Sequence, residues 1–398
     1  MEEHGAVPTV TAANSIRHRK KPKAFIKWKP AGVVVVDVDV HIYDGPEELA
    51  PYADMPWRKS LEHAATFPHR YNDLPGYAPR VDLYPSFPGA FAKDYADSPS
   101  ELRSDLDLLS IDHGVIFTNH LLPMATLPDP VYARALVQAY NRWLLDRWLG
   151  REPNLWGAIM AHPHEPEVAA REVEKYAREK HVIGVALPIA GIEPLLGHPM
   201  YDPLLQTVEA CGLPLMLHSA AIPYPAFPFN THKMVNAMAA QTIGHGFSVM
   251  ANISNLVSAG VPAKFPKLKF VFMESGISWM PYIQQRLDRL WTERRRDAPQ
   301  LDRKPSEYFG NFYVATQPIE EPDDFADVAK MIDLYRGWNT TVFASDWPHH
   351  DFDHPKVIWK LPVSEEKKKR VMGENAMQLF GISAGDRVCP PVPAAKGS

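Results

Sequence analysis

Eight short runs of β-branched and aliphatic residues recur along this chain, each followed by a segment of helical periodicity, and this alternation narrows the possible folds more than any other feature. The runs are VVVVDVDVH (33–41), HGVIFTNH (113–120), LWGAIMAHPH (155–164), VIGVALPI (182–189), LPLMLHS (213–219), LKFVFMES (268–275), NFYVATQ (311–317) and TTVFASD (340–346). Near-continuous apolar runs of this length mark strands covered on both faces, as in a parallel sheet. Helical patterns lie at 101–112, 129–149, 165–180 and 200–212, within 233–260, and at 279–296, 323–337 and 364–381. Strand then helix, eight times, predicts an α/β protein with a TIM (β/α)8 barrel. An open doubly wound sheet uses similar elements, but no Gly-rich phosphate-binding turn follows the first run.

A chain of 398 residues would often divide into two or three domains, yet a barrel of this kind accommodates it as one. The expected barrel covers 31–385. It follows an N-terminal extension, 1–30, that ends in the basic arm Arg17–Pro30, and it precedes a tail, 386–398, expected to be disordered. Two interruptions rich in Pro and aromatics, 42–98 and 220–233, leave the C-terminal ends of strands, which is the catalytic face of such a barrel. Loops of that size act as lids or subunit contacts, so a homo- or hetero-oligomer is expected. Net charge is −5 and the basic residues form no face-wide stripe, which argues against nucleic acid and for a small-molecule substrate. Neither a signal-peptide pattern nor an apolar run of membrane length is present, so no membrane association and a cytoplasmic location are expected. With only Cys211 and Cys389, any metal must be held by His and carboxylate.

Asp37, Asp39 and His41 are spaced by two in the first run, so they share one face of an extended chain. A carboxylate in an apolar strand needs a partner or an ion, and Asp39 with His41 offers two ligands; a hydrogen-bonded pair at the barrel rim is the alternative. His218 ends the fifth run and Asp346 the eighth. Three strand tips supplying only His and Asp make convergence on one divalent ion the better account. His162 and His164 flank Pro163 and read as hydrogen-bonding partners of a ligand or of substrate. Glu274 is either a ligand or the group that orients a ligand His. Trp279 reads as core more readily than as a substrate contact. His349 and His350 follow Asp346 in a loop where active-site residues tend to occur, and His120 has similar placement after the second run. Arg286 and Asp288 read as a helix salt-bridge pair.

The segments VDVDVH, AYNRWL, HPHEPEVAAREVEK, MYDPLL, GLPLMLH, FPKLKFVFMESGISWMPYIQQRLDRLW and FASDWPHHDFDHP, spread from Val33 to Gly381, resemble the amidohydrolase superfamily. Within it they resemble the family typified by aminocarboxymuconate semialdehyde decarboxylase. The resemblance implies metal ligands at Asp39, His41, His218 and Asp346, with Glu274 where many relatives have His. Asp39 stands where His or Glu is usual, and the fourth run has no Lys for a bridging carbamate. The implied centre is therefore mononuclear, or binuclear only through carboxylates and histidines such as His162, His164, His349 or His350.

The implied enzyme hydrolyses or non-oxidatively decarboxylates a small, largely apolar or aromatic carboxyl or carbonyl compound, with His218 and Asp346 catalytic and Asp346 moving the proton. Zinc is the first expectation for the ion, with iron or manganese next. D-x-D-x-H, ESG-x-x-W and SD-x-PH also resemble iron- or manganese-dependent oxygenases such as 2-aminoisobutyrate hydroxylase, which pairs two homologous subunits. A dioxygen-activating monooxygenase, or its partner subunit, is thus the second expectation. A structural or regulatory subunit without turnover is a further one.

Overall fold

The computed structural model describes residues 28–66, 95–220, 233–349 and 351–383. The basic arm as far as Lys27, residues 67–94 and 221–232 of the two interruptions, His350 and the tail lie outside the described residues.

Each of the eight runs holds one strand: β1 (Val36–His41), β2 (His113–Phe117), β3 (Leu155–Met160), β4 (Val182–Pro188), β5 (Leu215–His218), β6 (Phe270–Met273), β7 (Phe312–Ala315) and β8 (Thr341–Val342). They form one parallel sheet in sequence order, each paired with the next. The chain beyond β8 closes the barrel against β1: Val38 N donates to Phe343 O at 3.1 Å, Asp346 N to Asp39 O at 3.0 Å and His41 N to Trp347 O at 2.7 Å. Asp39, His41 and Asp346, three of the residues expected to carry chemistry, therefore belong to the seam that joins the first strand to the last.

Small and medium apolar side chains fill the interior, among them Val36, Val38, Val115, Ala158, Met216, Val271, Ala315 and Val342. A second and larger core lies between the strands and the surrounding helices and is built on residues such as Leu106, Tyr140, Trp143, Leu204 and Phe272. Both faces of every strand are thereby dry, which is why the runs read as apolar without alternation.

One local departure shapes the site. Between Asp37 and Val40, β1 advances three residues while β2 advances two, from Gly114 to Ile116. The extra residue breaks the simple alternation on which Asp37, Asp39 and His41 share a face. Asp37 accepts hydrogen bonds from Ser345 N at 2.8 Å and from Ser345 Oγ, and so ties β1 to the chain after β8. Burial pushes its carboxyl up to about 7 against the opposing hydrogen bonds from Ser345.

Other elements also differ from the sequence expectation. Part of the first interruption is helical, at Pro46–Leu49 and Trp57–Ala64, and packs on the helix Pro130–Trp143 through Trp143 Nε1 to Glu48 and a Trp57–Tyr132 ring contact. At the end of the basic arm, Trp28 packs edge-on against Trp359 and Lys29 pairs with buried Asp112, so these residues lie on the barrel. Arg286 and Asp288 form no pair: Asp288 accepts from Ser306 N and Oγ, consistent with i and i+2 positions pointing apart on a helix. Among the described residues no helix is long and apolar enough to cross a membrane.

Candidate metal centre

Asp39 and His41 from β1, His218 from the tip of β5 and Asp346 from the turn after β8 meet at the C-terminal mouth of the barrel, all buried. His41 Nε2 lies 3.3 Å from Asp39 Oδ1 and 3.0 Å from Asp346 Oδ1, and His218 Nε2 lies 3.4 Å from Asp39 Oδ2. Ligand atoms of Asp39, His41 and His218 are all within 4.8 Å of one another, as are those of His41, Asp346 and His349.

Hydrogen bonds on the far side of each ring decide which nitrogen faces the cluster. His41 Nδ1 is 2.6 Å from Thr118 O, and His218 Nδ1 is bonded to Ser219 O. A carbonyl accepts only, so in each neutral ring Nδ1 holds the proton and Nε2 presents a lone pair. Both Nε2 atoms and both Asp39 carboxylate oxygens lack a hydrogen-bond partner among the described residues. Two lone pairs and a carboxylate facing one another in a buried space leave acceptors with no donor, which is costly unless a cation supplies the missing charge. The donor set thus fits a divalent ion.

Asp346 is held from two sides. Its Oδ1 is 2.6 Å from His349 Nδ1, and its Oδ2 accepts from Gln317 Nε2 at 3.3 Å. His349 stacks on His41 with ring centroids 4.4 Å apart and reaches Asn119 Oδ1 through Nε2 at 2.9 Å. Glu274 Oε2 lies 3.4 Å from both His218 Nε2 and His245 Nδ1, beside the Asp39 group. Glu274 and Asp346 both have left-handed backbone, with φ of 44° and 59°. Non-glycine residues rarely adopt that region, and such strain gathers at functional positions.

The remaining candidates stand outside these two groups. His162 is buried with neither ring nitrogen partnered among the described residues, and burial, aided by the charges of His164 and Arg134, pushes its pKa down to about 4. His164 Nε2 is bonded to Leu127 O at 2.8 Å. Trp279 packs edge-on against Phe272 and donates to Gly276 O at 2.9 Å. His350 lies outside the described residues.

Sequence reasoning overlooked Asn119, His245 and Gln317. Gln317 and Asn119 stand at the ends of their runs, where the strand-tip argument could have found them. His245 sits within the helix Ala237–Ser258 and carries no such signal.

The closed parallel barrel with a His and carboxylate cluster at its C-terminal mouth defines a metal-dependent enzyme of the (β/α)8 type. The chain belongs to the amidohydrolase family, whose profile matches residues 117–382. That match begins at the end of β2, so the placement of Asp39 and His41 rests on geometry. A gamma-resorcylate decarboxylase from a Polaromonas species is 25% identical over 309 residues, covering 73% of this chain and 92% of the relative. The solved 5-carboxyvanillate decarboxylase of Sphingomonas paucimobilis is similar in fold, with a TM-score of 0.67 at 21% identity over 88% of this chain and 100% of its own. A dihydroxybenzoic acid decarboxylase from Polaromonas, solved with manganese and 2-nitroresorcinol, has a TM-score of 0.62 at 18% identity over 88% of this chain and 97% of its own.

Proposed function

We propose that this chain is a metal-dependent, non-oxidative decarboxylase of a small aromatic carboxylic acid with a ring hydroxyl beside the carboxylate. The observation that carries the reading is the set of unpartnered acceptors, Asp39 Oδ1 and Oδ2, His41 Nε2 and His218 Nε2, with Asp346 beside them. The names of the relatives support the choice of decarboxylation over hydrolysis.

Asp39, His41 and His218 hold the ion, with Asp346 beside them, 3.0 Å from His41 Nε2. The carboxylate share of the donors suits manganese as well as zinc, and manganese is the first ion to test. Once bound, the ion supplies Lewis-acid polarisation of substrate oxygens. Asp346 carries the proton, and His349 and Gln317 hold its two oxygens in place. In the step itself the bond from ring carbon to carboxylate breaks, its electron pair stays on the ring carbon, and the proton from Asp346 forms the new C–H bond as CO2 leaves. Residues 31–385 act as one barrel unit. The oligomer expected from the long loops is tested by light scattering.

Manganese-loaded protein given 2,6-dihydroxybenzoate should release one CO2 per resorcinol formed, equally under argon and in air. Oxygen consumption with a hydroxylated product would instead favour the oxygenase reading, which draws on the extra carboxylate, Glu274, set between His218 and His245.

A further inference from the structure

We infer that Asp44 is a positioning residue of the metal centre, acting by locking the three residues after β2 from which two of the mouth histidines are held. The inference rests on the metal reading above. Asp44 is 1% exposed and lies three residues beyond His41. It collects four donors from one short segment: Thr118 Oγ1, Asn119 N at 3.1 Å, His120 N at 2.8 Å and His120 Nδ1 at 3.1 Å. Burial pushes its carboxyl up, but hydrogen bonds and charge from His120, with Thr118, outweigh that and leave it below the ordinary carboxylate range. It is therefore ionised at neutral pH, when all four donors are needed to offset its desolvation.

Two of these three residues, Thr118 and Asn119, present the acceptors that orient the centre. Thr118 O accepts a hydrogen bond from His41 Nδ1 at 2.6 Å and so fixes both the tautomer and the plane of that ring. Asn119 Oδ1 lies 2.9 Å from His349 Nε2, and His349 in turn grips Asp346 at 2.6 Å. A carboxylate that served only to bury a loop could draw its donors from any residues. Here two of the four come from Thr118 and Asn119, whose next atoms touch His41 and His349, and the other two from the adjoining His120. Removing the charge at position 44 leaves every ligand atom in the chain but frees the segment that aims them. The loss should therefore appear as weakened ion binding more than as unfolding, and partners of metal ligands of this kind contribute roughly 10- to 100-fold in metal affinity.

The test compares wild type with Asp44→Asn, Thr118→Val and Asp112→Asn, each stripped of metal and titrated with Mn2+ against a chromophoric chelator. Asp112 is the control: it is equally buried, accepts from Val35 N at 2.8 Å and pairs with Lys29, but it lies at the opposite end of the barrel. Asp44→Asn should raise the Mn2+ dissociation constant roughly 10- to 100-fold and alter the visible spectrum of the Co2+-loaded protein. Thr118→Val, which removes one donor to Asp44 and leaves the carbonyl for His41, should raise the constant less. Asp112→Asn should lower the melting temperature without changing either readout. Unchanged Mn2+ affinity in Asp44→Asn, or an equal loss in Asp112→Asn, overturns the inference. If Asp44→Asn does not fold, Thr118→Val decides the matter, because wild-type affinity there also overturns it. A wild type that binds no divalent ion refutes the metal reading itself, whereas a wild type that binds while the variants match it refutes only the role of Asp44.

Discussion

The two ring nitrogens of a histidine have different roles once one of them is tied to a backbone carbonyl. His41 and His218 are both tied in this way, so their Nε2 lone pairs face Asp39 with nothing between them to donate. His218→Ala and Asp346→Asn should accordingly lose bound metal or turnover while the far-ultraviolet dichroism of the barrel is retained. Full metal content and activity in both variants would refute the assignment. His162 poses a different residue-scale problem, because its ring nitrogens are buried with no hydrogen-bond partner among the described residues and its pKa falls to about 4, against 6.5 for an ordinary histidine. The folded protein keeps it neutral where the unfolded chain protonates it. Its contribution to stability is therefore complete above pH 6.5 and is lost as pH falls toward 4, at about 1.4 kcal/mol per pH unit. In urea unfolding, the stability difference between wild type and His162→Phe should drift in favour of the variant over that window. A difference that stays constant with pH would show that His162 titrates normally.

At the scale of elements, the strands were legible because each is buried on both faces, and their tips were legible because a lone His or Asp after an apolar run is conspicuous. His218 and Asp346 were found on that signal. The bulge in β1 was not, since nothing in VDVDVH marks where the extra residue falls, and Asp37 was consequently grouped with Asp39 when it in fact bonds Ser345. Asp44 follows its strand in HIYDG without any period to distinguish it, and its importance comes from β2, far away in sequence. The helix pattern at 364–381 was also legible, though not what it packs on. Gly373, within it, sits so close to the residues before β1 that a Cβ there would run into Val34 O. That oxygen is backbone and cannot swing aside. Gly373→Ala should therefore destabilise the fold by about 1–3 kcal/mol, read as a lower denaturant midpoint, while the affinity of the folded protein for Mn2+ is unchanged. An unaltered midpoint would mean that the helix can shift at no cost.

For the molecule as a whole, the cluster lies on the seam where the first strand meets the chain after the last. Asp346 N bonds Asp39 O and each side chain lies beside His41 Nε2, so residues proposed to hold the ion also close the barrel. The unfolded chain scatters these groups and binds an ion poorly, so the ion should stabilise the native state by mass action, about 2.7 kcal/mol at a free concentration 100 times its dissociation constant. The melting temperature of wild type should thus climb with the logarithm of Mn2+ concentration and fall to a fixed floor in excess chelator. Asp39→Asn should start near that floor and respond weakly, because it keeps the shape of the side chain and removes its charge. The floor itself should be little changed, since Asn keeps the shape of the side chain and the Asp39 oxygens have no donor among the described residues to lose. A variant that melts well below metal-free wild type would show that Asp39 holds the barrel together without an ion, and the unpartnered oxygens would then need another explanation.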